Sequence, residues 1–143
     1  MLNIDIVYHT PTLPQLEKID KGDWIDLRAA YGGSFKAGDF ALIDLGVSMK
    51  LPEGYEAHIV PRSSTFKNWG IIQTNHMAVI DNSYSGTNDV WKMPCYFTRD
   101  AVIKPNDRIC QFRIFKKMEP VTFTEVHELD STDRGGFGSS GIN

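Results

Sequence analysis

Cysteine is scarce in this chain of 143 residues: Cys95 and Cys110 stand alone, without C-x-x-C spacing. That excludes a disulfide framework and a thiolate zinc site, and it fits two buried free thiols in a reducing cytoplasm. Long apolar runs are missing too. No stretch approaches the roughly 18 residues of a membrane helix, and the first ten residues alternate rather than form a signal peptide. An excess of positive charge is also absent. Fifteen Lys and Arg against eighteen Asp and Glu leave a net charge of −3. This argues against nucleic acid or an anionic membrane as partner, although a few local arginines can hold a small polyanion. There are no heptads, internal repeats or long amphipathic helices. What remains is 41% hydrophobic and 23% charged, the profile of one soluble intracellular domain.

What is there reads as strands. Leu2, Ile4, Ile6 and Tyr8 alternate with polar residues, a strand with one buried face. Residues 10–22 are broken by Pro11, Pro14 and Gly22 and form a connection. Asp23–Ala30 is a short extended piece, and Tyr31–Gly38 a glycine-rich loop. Phe40–Leu51 puts Ala41, Ile43, Leu45, Val47, Met49 and Leu51 on one face, a single long strand with Gly46 as a kink. Pro52-Glu53-Gly54 is a turn, Tyr55–Pro61 alternates again, and Ser63–Gly70 holds one helical turn. Val90–Phe97 and Ile109–Phe115 are further strands, divided by the turn Pro105-Asn106-Asp107; Val121–Val126 alternates weakly. Short strands with Gly and Pro turns predict an all-β barrel or sandwich. From Asp130 onward almost nothing is apolar, which predicts a mobile arm, residues 130–143, on a domain of residues 1–129.

The central stretch is Asn75–Gly86, a strand running into a turn with Asp81 and Tyr84 at its mouth. A carboxylate at a strand end is held by the sheet and open to a substrate, which suits a general base. Four other segments carry polar groups that a plain β-domain does not need. Asp26 and Arg28 share a strand face. Pro61-Arg62-Ser63-Ser64 ends a strand with a guanidinium, two hydroxyls and their N–H groups, a set suited to phosphate oxygens. Arg108 and Gln111 interrupt an apolar run, and Arg134-Gly135-Gly136-Phe137-Gly138-Ser139-Ser140-Gly141 joins an arginine and an aromatic to a glycine-rich tail. Each has a plain alternative: a surface ion pair between Asp26 and Arg28, an N-cap at Ser63 or Ser64, the wet side of an edge strand, a disordered tail.

Their order resembles that of the five motifs of the trimeric deoxyuridine triphosphatases (dUTPases). The matching residues are Asp26-Leu27-Arg28-Ala29, Pro61-Arg62-Ser63-Ser64, Val79-Ile80-Asp81 with Tyr84 and Gly86, Asp107-Arg108-Ile109 with Gln111, and the tail from Arg134 to Gly141. The run looks most like the enzymes of Bacillus-type bacteria and their phages. The resemblance implies a jelly-roll-like β-barrel, a homotrimer with three sites at subunit interfaces, and a C-terminal arm closing each. It also implies Mg²⁺-dependent hydrolysis of dUTP to dUMP and pyrophosphate by attack of water on the α-phosphate. That activity keeps uracil out of DNA and supplies dUMP for dTMP synthesis.

By the same resemblance, Asp81 is the base and Gln111 lies near the attacking water. The Asn75, Ala78, Val79 and Ile80 hairpin reads uracil, and Tyr84 stacks under the deoxyribose. Arg62, Ser63, Ser64 and Arg108 bind substrate at the phosphate end. Arg134 with the Ser139–Gly141 backbone, Ser140 included, holds the γ-phosphate, Gly138 is a further substrate contact, and Phe137 covers the base. Asp26 is the outer-sphere contact to magnesium through water. The family has glycine where Ala78 stands, an acidic residue where Ser83 stands, and a longer spacing between the arginine and the aromatic of the tail. Trp91 is therefore the alternative stacking lid. Two rivals remain. A dCTP deaminase of the same architecture needs a carboxylate in Trp91–Phe97, which has none; a phage dUTPase-like protein can instead act as a regulatory partner of another protein.

Overall fold

The computed structural model describes residues 1–136, and the fold is all-β around one short helix. The strands are β1 (Asp5–Tyr8), β2 (Ile25–Arg28), β3 (Gly33–Phe35), β4 (Phe40–Asp44), β5 (Val47–Lys50) and β6 (Tyr55–Pro61). After α1 (Thr65–Trp69) come β7 (Ile71–Gln73), β8 (Ala78–Ile80), β9 (Lys92–Phe97), β10 (Ala101–Ile103) and β11 (Arg108–Lys116). Among the described residues all pairings are antiparallel and form four sheets, in the orders β1-β5, β10-β3, β2-β11-β6-β8 and β4-β9-β7. The ladders stay open and do not join into a closed barrel.

The alternating face of residues 40–51 is buried as its pattern predicts, with Leu45, Val47, Met49 and Leu51 in the core. It is not one strand. The chain breaks at Gly46, leaving β4 on β9 and β5 on β1. Gly46 has φ +71°, and a Cβ there would lie 3.0 Å from the Ala30 methyl and 3.2 Å from Leu13. The corner thus needs a left-handed residue with no side chain. The segment Tyr31–Gly38, expected as loop, contains β3; residues 121–126 form no strand, and the last ladder ends at Lys116.

The core is sealed by aromatic contacts. Phe35 stacks on Phe97 with centroids 4.3 Å apart, and Trp91 meets Phe112 edge-on at 5.2 Å. Cys95 and Cys110 are buried and free. Burial pushes the Cys95 thiol up to about 12 and raises Cys110 further from its ordinary value. No helix among the described residues is long and apolar enough to cross a membrane.

Candidate active site

Strand β6 organises the polar residues. It pairs with β11 along its whole length and with β8 on its other edge, where Ala57 faces Ile80 and Ile59 faces Ala78. Between β7 and β8 the chain changes sheets through a tight corner. The His76 N–H bonds Gln73 O at 3.1 Å, and His76 itself takes φ +57°.

Beyond that corner lies a cleft of about 410 Å³, lined by Asn75, Ala78, Val79, Ile80, Asp81, Ser83 and Tyr84, with Val90, Trp91 and Lys92. Asp81 leaves β8 at the mouth and is solvent-exposed. Its Oδ1 accepts from the Ser83 hydroxyl and, at 2.8 Å, from the Ser83 backbone N–H. These bonds, the hydroxyl's first, and the nearby Lys117 ammonium hold the Asp81 carboxyl below its ordinary range. Lys117 donates to Asn82 Oδ1 at 2.8 Å, pinning the turn to the end of β11. The Tyr84 hydroxyl donates to Val90 O at 3.0 Å, which lays its ring along the cleft.

The other motifs gather at the opposite end of β6. Asp26 on β2 accepts an ion pair from Arg62 Nε at 3.1 Å and a longer one from Arg108 at 3.7 Å. Arg62 also donates to Arg108 O at 3.1 Å, and Gln111 Nε2 to Pro61 O at 3.1 Å. Arg28 turns to Asn106 O at 2.9 Å, so the Asp26 carboxylate pairs with Arg62 and Arg108 in place of Arg28. Ser64 occupies the N-cap position of α1 without a side-chain cap bond, and Ser63 is exposed beside it. Their hydroxyls remain free to meet another group.

The two sets do not meet within one chain. Ile80 is level with Ala57, whereas Gln111 is level with Val60 and Arg62 lies beyond the strand end. At roughly 3.3 Å per residue and 4.8 Å between strands, Ile80 and Gln111 are about 10 Å apart along β6 and about 10 Å across it. Ile80, level with Ala57, points to the opposite sheet face from Gln111, but its neighbour Val79 shares the Gln111 face. Gln111, Asp26 and Val60 form one cross-strand row, and Arg113, His58 and Val79 form the next row that points the same way.

The model of the dUTPase family matches residues 24–141. The chain belongs to the dUTPase family. It is 57% identical, over 98% of its own length and 99% of the relative's, to the SPbeta prophage-derived deoxyuridine 5'-triphosphate nucleotidohydrolase YosS of Bacillus subtilis (strain 168). It is 40% identical to the deoxyuridine 5'-triphosphate nucleotidohydrolase of Fusobacterium nucleatum, over 70% of this chain and 68% of that one. A mutant dUTPase of Staphylococcus bacteriophage 80alpha, solved with dUpNHpp, superposes with a TM-score of 0.79 at 18% identity, covering 99% of this chain and 100% of that one. A mutant dUTPase of phage phi11 of S. aureus, described with a coordinated structural Mg(II) ion, gives 0.76 at 14% identity, covering 91% and 100%. These structures show the jelly-roll-like dUTPase fold.

As a dUTPase site the arrangement corrects one expectation. Trp91 is fully buried, its ring against Phe112, and it backs the cleft from below. A ring locked in the core does not close over a base. Arg134 is exposed and contacts Gly135 O at 3.5 Å, while Phe137, Gly138, Ser139 and Ser140 lie outside the described residues. Two residues escaped sequence reasoning. Thr65 is fully buried; its hydroxyl accepts from the Arg62 N–H and donates to Ile109 O, both at 2.9 Å, fixing the phosphate-side loop to β11. Gln73 is buried behind the cleft. A lone threonine in a polar turn and a lone glutamine after two isoleucines carry no pattern that points to a site.

Proposed function

We propose that this dUTPase-family chain hydrolyses dUTP to dUMP and pyrophosphate, with water attacking the α-phosphorus. The observation that carries this reading is an anchored, exposed carboxylate, Asp81, at the mouth of a cleft walled by β8 and the corner before it. The backbone of β8 with Asn75 offers donors and acceptors to the uracil edge, a match that cytosine would leave unpaired. Asp81 takes a proton from the attacking water. Gln111 orients that water, and Arg62, Arg108, Ser63 and Ser64 receive the phosphates, with positioning as the main catalytic contribution. Arg134 and the tail beyond it, Phe137 included, complete the enclosure.

The separation along β6 supports a homotrimer. One subunit's Asp81 cleft and another's Arg62–Gln111 end make a full site if their sheet faces meet around a three-fold axis. Met118, Phe123 and Leu129 support the same assembly: they are 80%, 92% and 81% exposed on a segment without secondary structure, an apolar run that a neighbouring copy would cover.

Magnesium fits this site in one way. Among the described residues no three His, Cys, Asp or Glu side chains form a cluster able to hold a metal ion. Asp26 is a single carboxylate already shared by two arginines, suited to receive water ligands of an ion carried by the triphosphate. Such an ion, when bound, neutralises phosphate charge and helps align the chain for in-line displacement.

The test is pyrophosphate release from dUTP, dCTP, dTTP and UTP, with and without Mg²⁺, by the wild type and Asp81→Asn. Release from dUTP alone, lost in the variant, is the expected result. Tight dUTP binding without turnover would replace the hydrolase by the regulatory reading.

A further inference from the structure

Gln73, at the end of β7, is 2% exposed, and its Nε2 makes two bonds of 2.9 Å, to Ile59 O on β6 and to Asn75 Oδ1. A backbone carbonyl only accepts, so the Ile59 bond sets the Gln73 amide with its nitrogen toward β6. The second N–H of that nitrogen then faces Asn75, which can answer only with its oxygen. This turns Asn75 Nδ2 away from Gln73 on a residue that lines the cleft. Gln73 Oε1 is buried without a partner. Flipping the amide would not relieve it, since the oxygen would then oppose the Ile59 carbonyl.

We propose that Gln73 is a positioning residue for base selection: it locks the Asn75 amide so that the cleft receives an N–H donor and selects a pyrimidine with a carbonyl at C4 over one with an amine there. The inference rests on the reading of this cleft as the uracil site. An aminopyrimidine would set its own N–H against that of Asn75, and two donors facing each other leave both unpaired. Backbone groups of a hairpin cannot rotate, but a side-chain amide can. Without Gln73 the Asn75 amide would present oxygen or nitrogen with little preference, and the selection at that point would be lost.

The experiment compares kcat/KM for dUTP and dCTP in the wild type, Gln73→Met, Gln73→Glu and Asn75→Leu, with calorimetric binding of dUMP and dCMP alongside. Gln73→Met keeps the length and removes the donor; the dUTP-to-dCTP ratio is expected to fall by roughly tenfold, the worth of one buried hydrogen bond. Gln73→Glu offers only acceptors, which turns Asn75 Oδ1 into the cleft and lowers the ratio further. Should the buried charge prevent folding, Gln73→Met carries the test alone. An unchanged ratio in Gln73→Met beside a collapsed ratio in Asn75→Leu overturns the role of Gln73 and leaves the cleft reading standing. An unchanged ratio in Asn75→Leu overturns both. Equal losses toward the two substrates, with reduced stability, would show Gln73 to be a core residue and nothing more.

Discussion

Ser83 grips the carboxylate of Asp81 twice at one oxygen, with its hydroxyl and with its backbone N–H at 2.8 Å. The second oxygen, Oδ2, is left for a substrate or a water. A carboxylate at position 83 would repel Asp81 where the hydroxyl stabilises its ionised form.

A pH profile tests this relationship. A base works only when ionised, and Asp81 is held below its ordinary range chiefly by the Ser83 hydroxyl. Activity should therefore persist as pH falls through the ordinary carboxylate range and decline only below it. Ser83→Ala removes the largest cause and should move the acid limb of kcat/KM to higher pH; Ser83→Thr should restore it. An unmoved limb would show that Ser83 does not set the ionisation of Asp81.

Mixing two inactive variants tests the divided site. Asp81→Asn keeps the arginine end intact, and Arg62→Ala keeps the cleft. Co-refolded in equal amounts they should regain activity, because random assembly of a ring makes about one quarter of the shared sites fully wild-type. Each variant alone should stay inactive. If the mixture were inactive too, the halves would have to meet within one chain.

Trp91→Ala should act on stability before binding. The side chain is fully buried against Phe112, and truncating such a residue costs about 3–5 kcal/mol. Urea denaturation should show a much lower midpoint. A large rise in KM for dUTP at unchanged stability would return Trp91 to the role of lid.

Gly46→Ala should destabilise by about 1–3 kcal/mol, since it puts a methyl group on a left-handed residue 3.0 Å from Ala30. The same denaturation experiment reads it.

Much of the fold was legible because burial follows period two. The alternating faces of residues 40–51 and 55–61 are in the core where the pattern puts them. The pattern could not reveal the break at Gly46, since β4 and β5 keep the same alternation across a change of sheet. Strands β3 and β10 are three residues each, too short for a period to show. At the site, residue types and their order singled out two polar sets, which lie toward opposite ends of β6. Their distance apart was invisible, because it depends on which ends of β6 the strands β8 and β11 present. Trp91 was misread for a related reason: a lone tryptophan beside a motif looks the same whether it covers a cleft or floors it.

The two buried thiols lie on different sheets, Cys95 on β9 and Cys110 on β11, with ionisation suppressed by burial. Thiolate is the form that reacts, so neither sulfur should be alkylated while the sheets stay together. A thiol reagent applied to the native protein would then report opening of the core. Bound nucleotide that tightens the assembly should lengthen the labelling time of both cysteines, although neither is among the predicted substrate contacts.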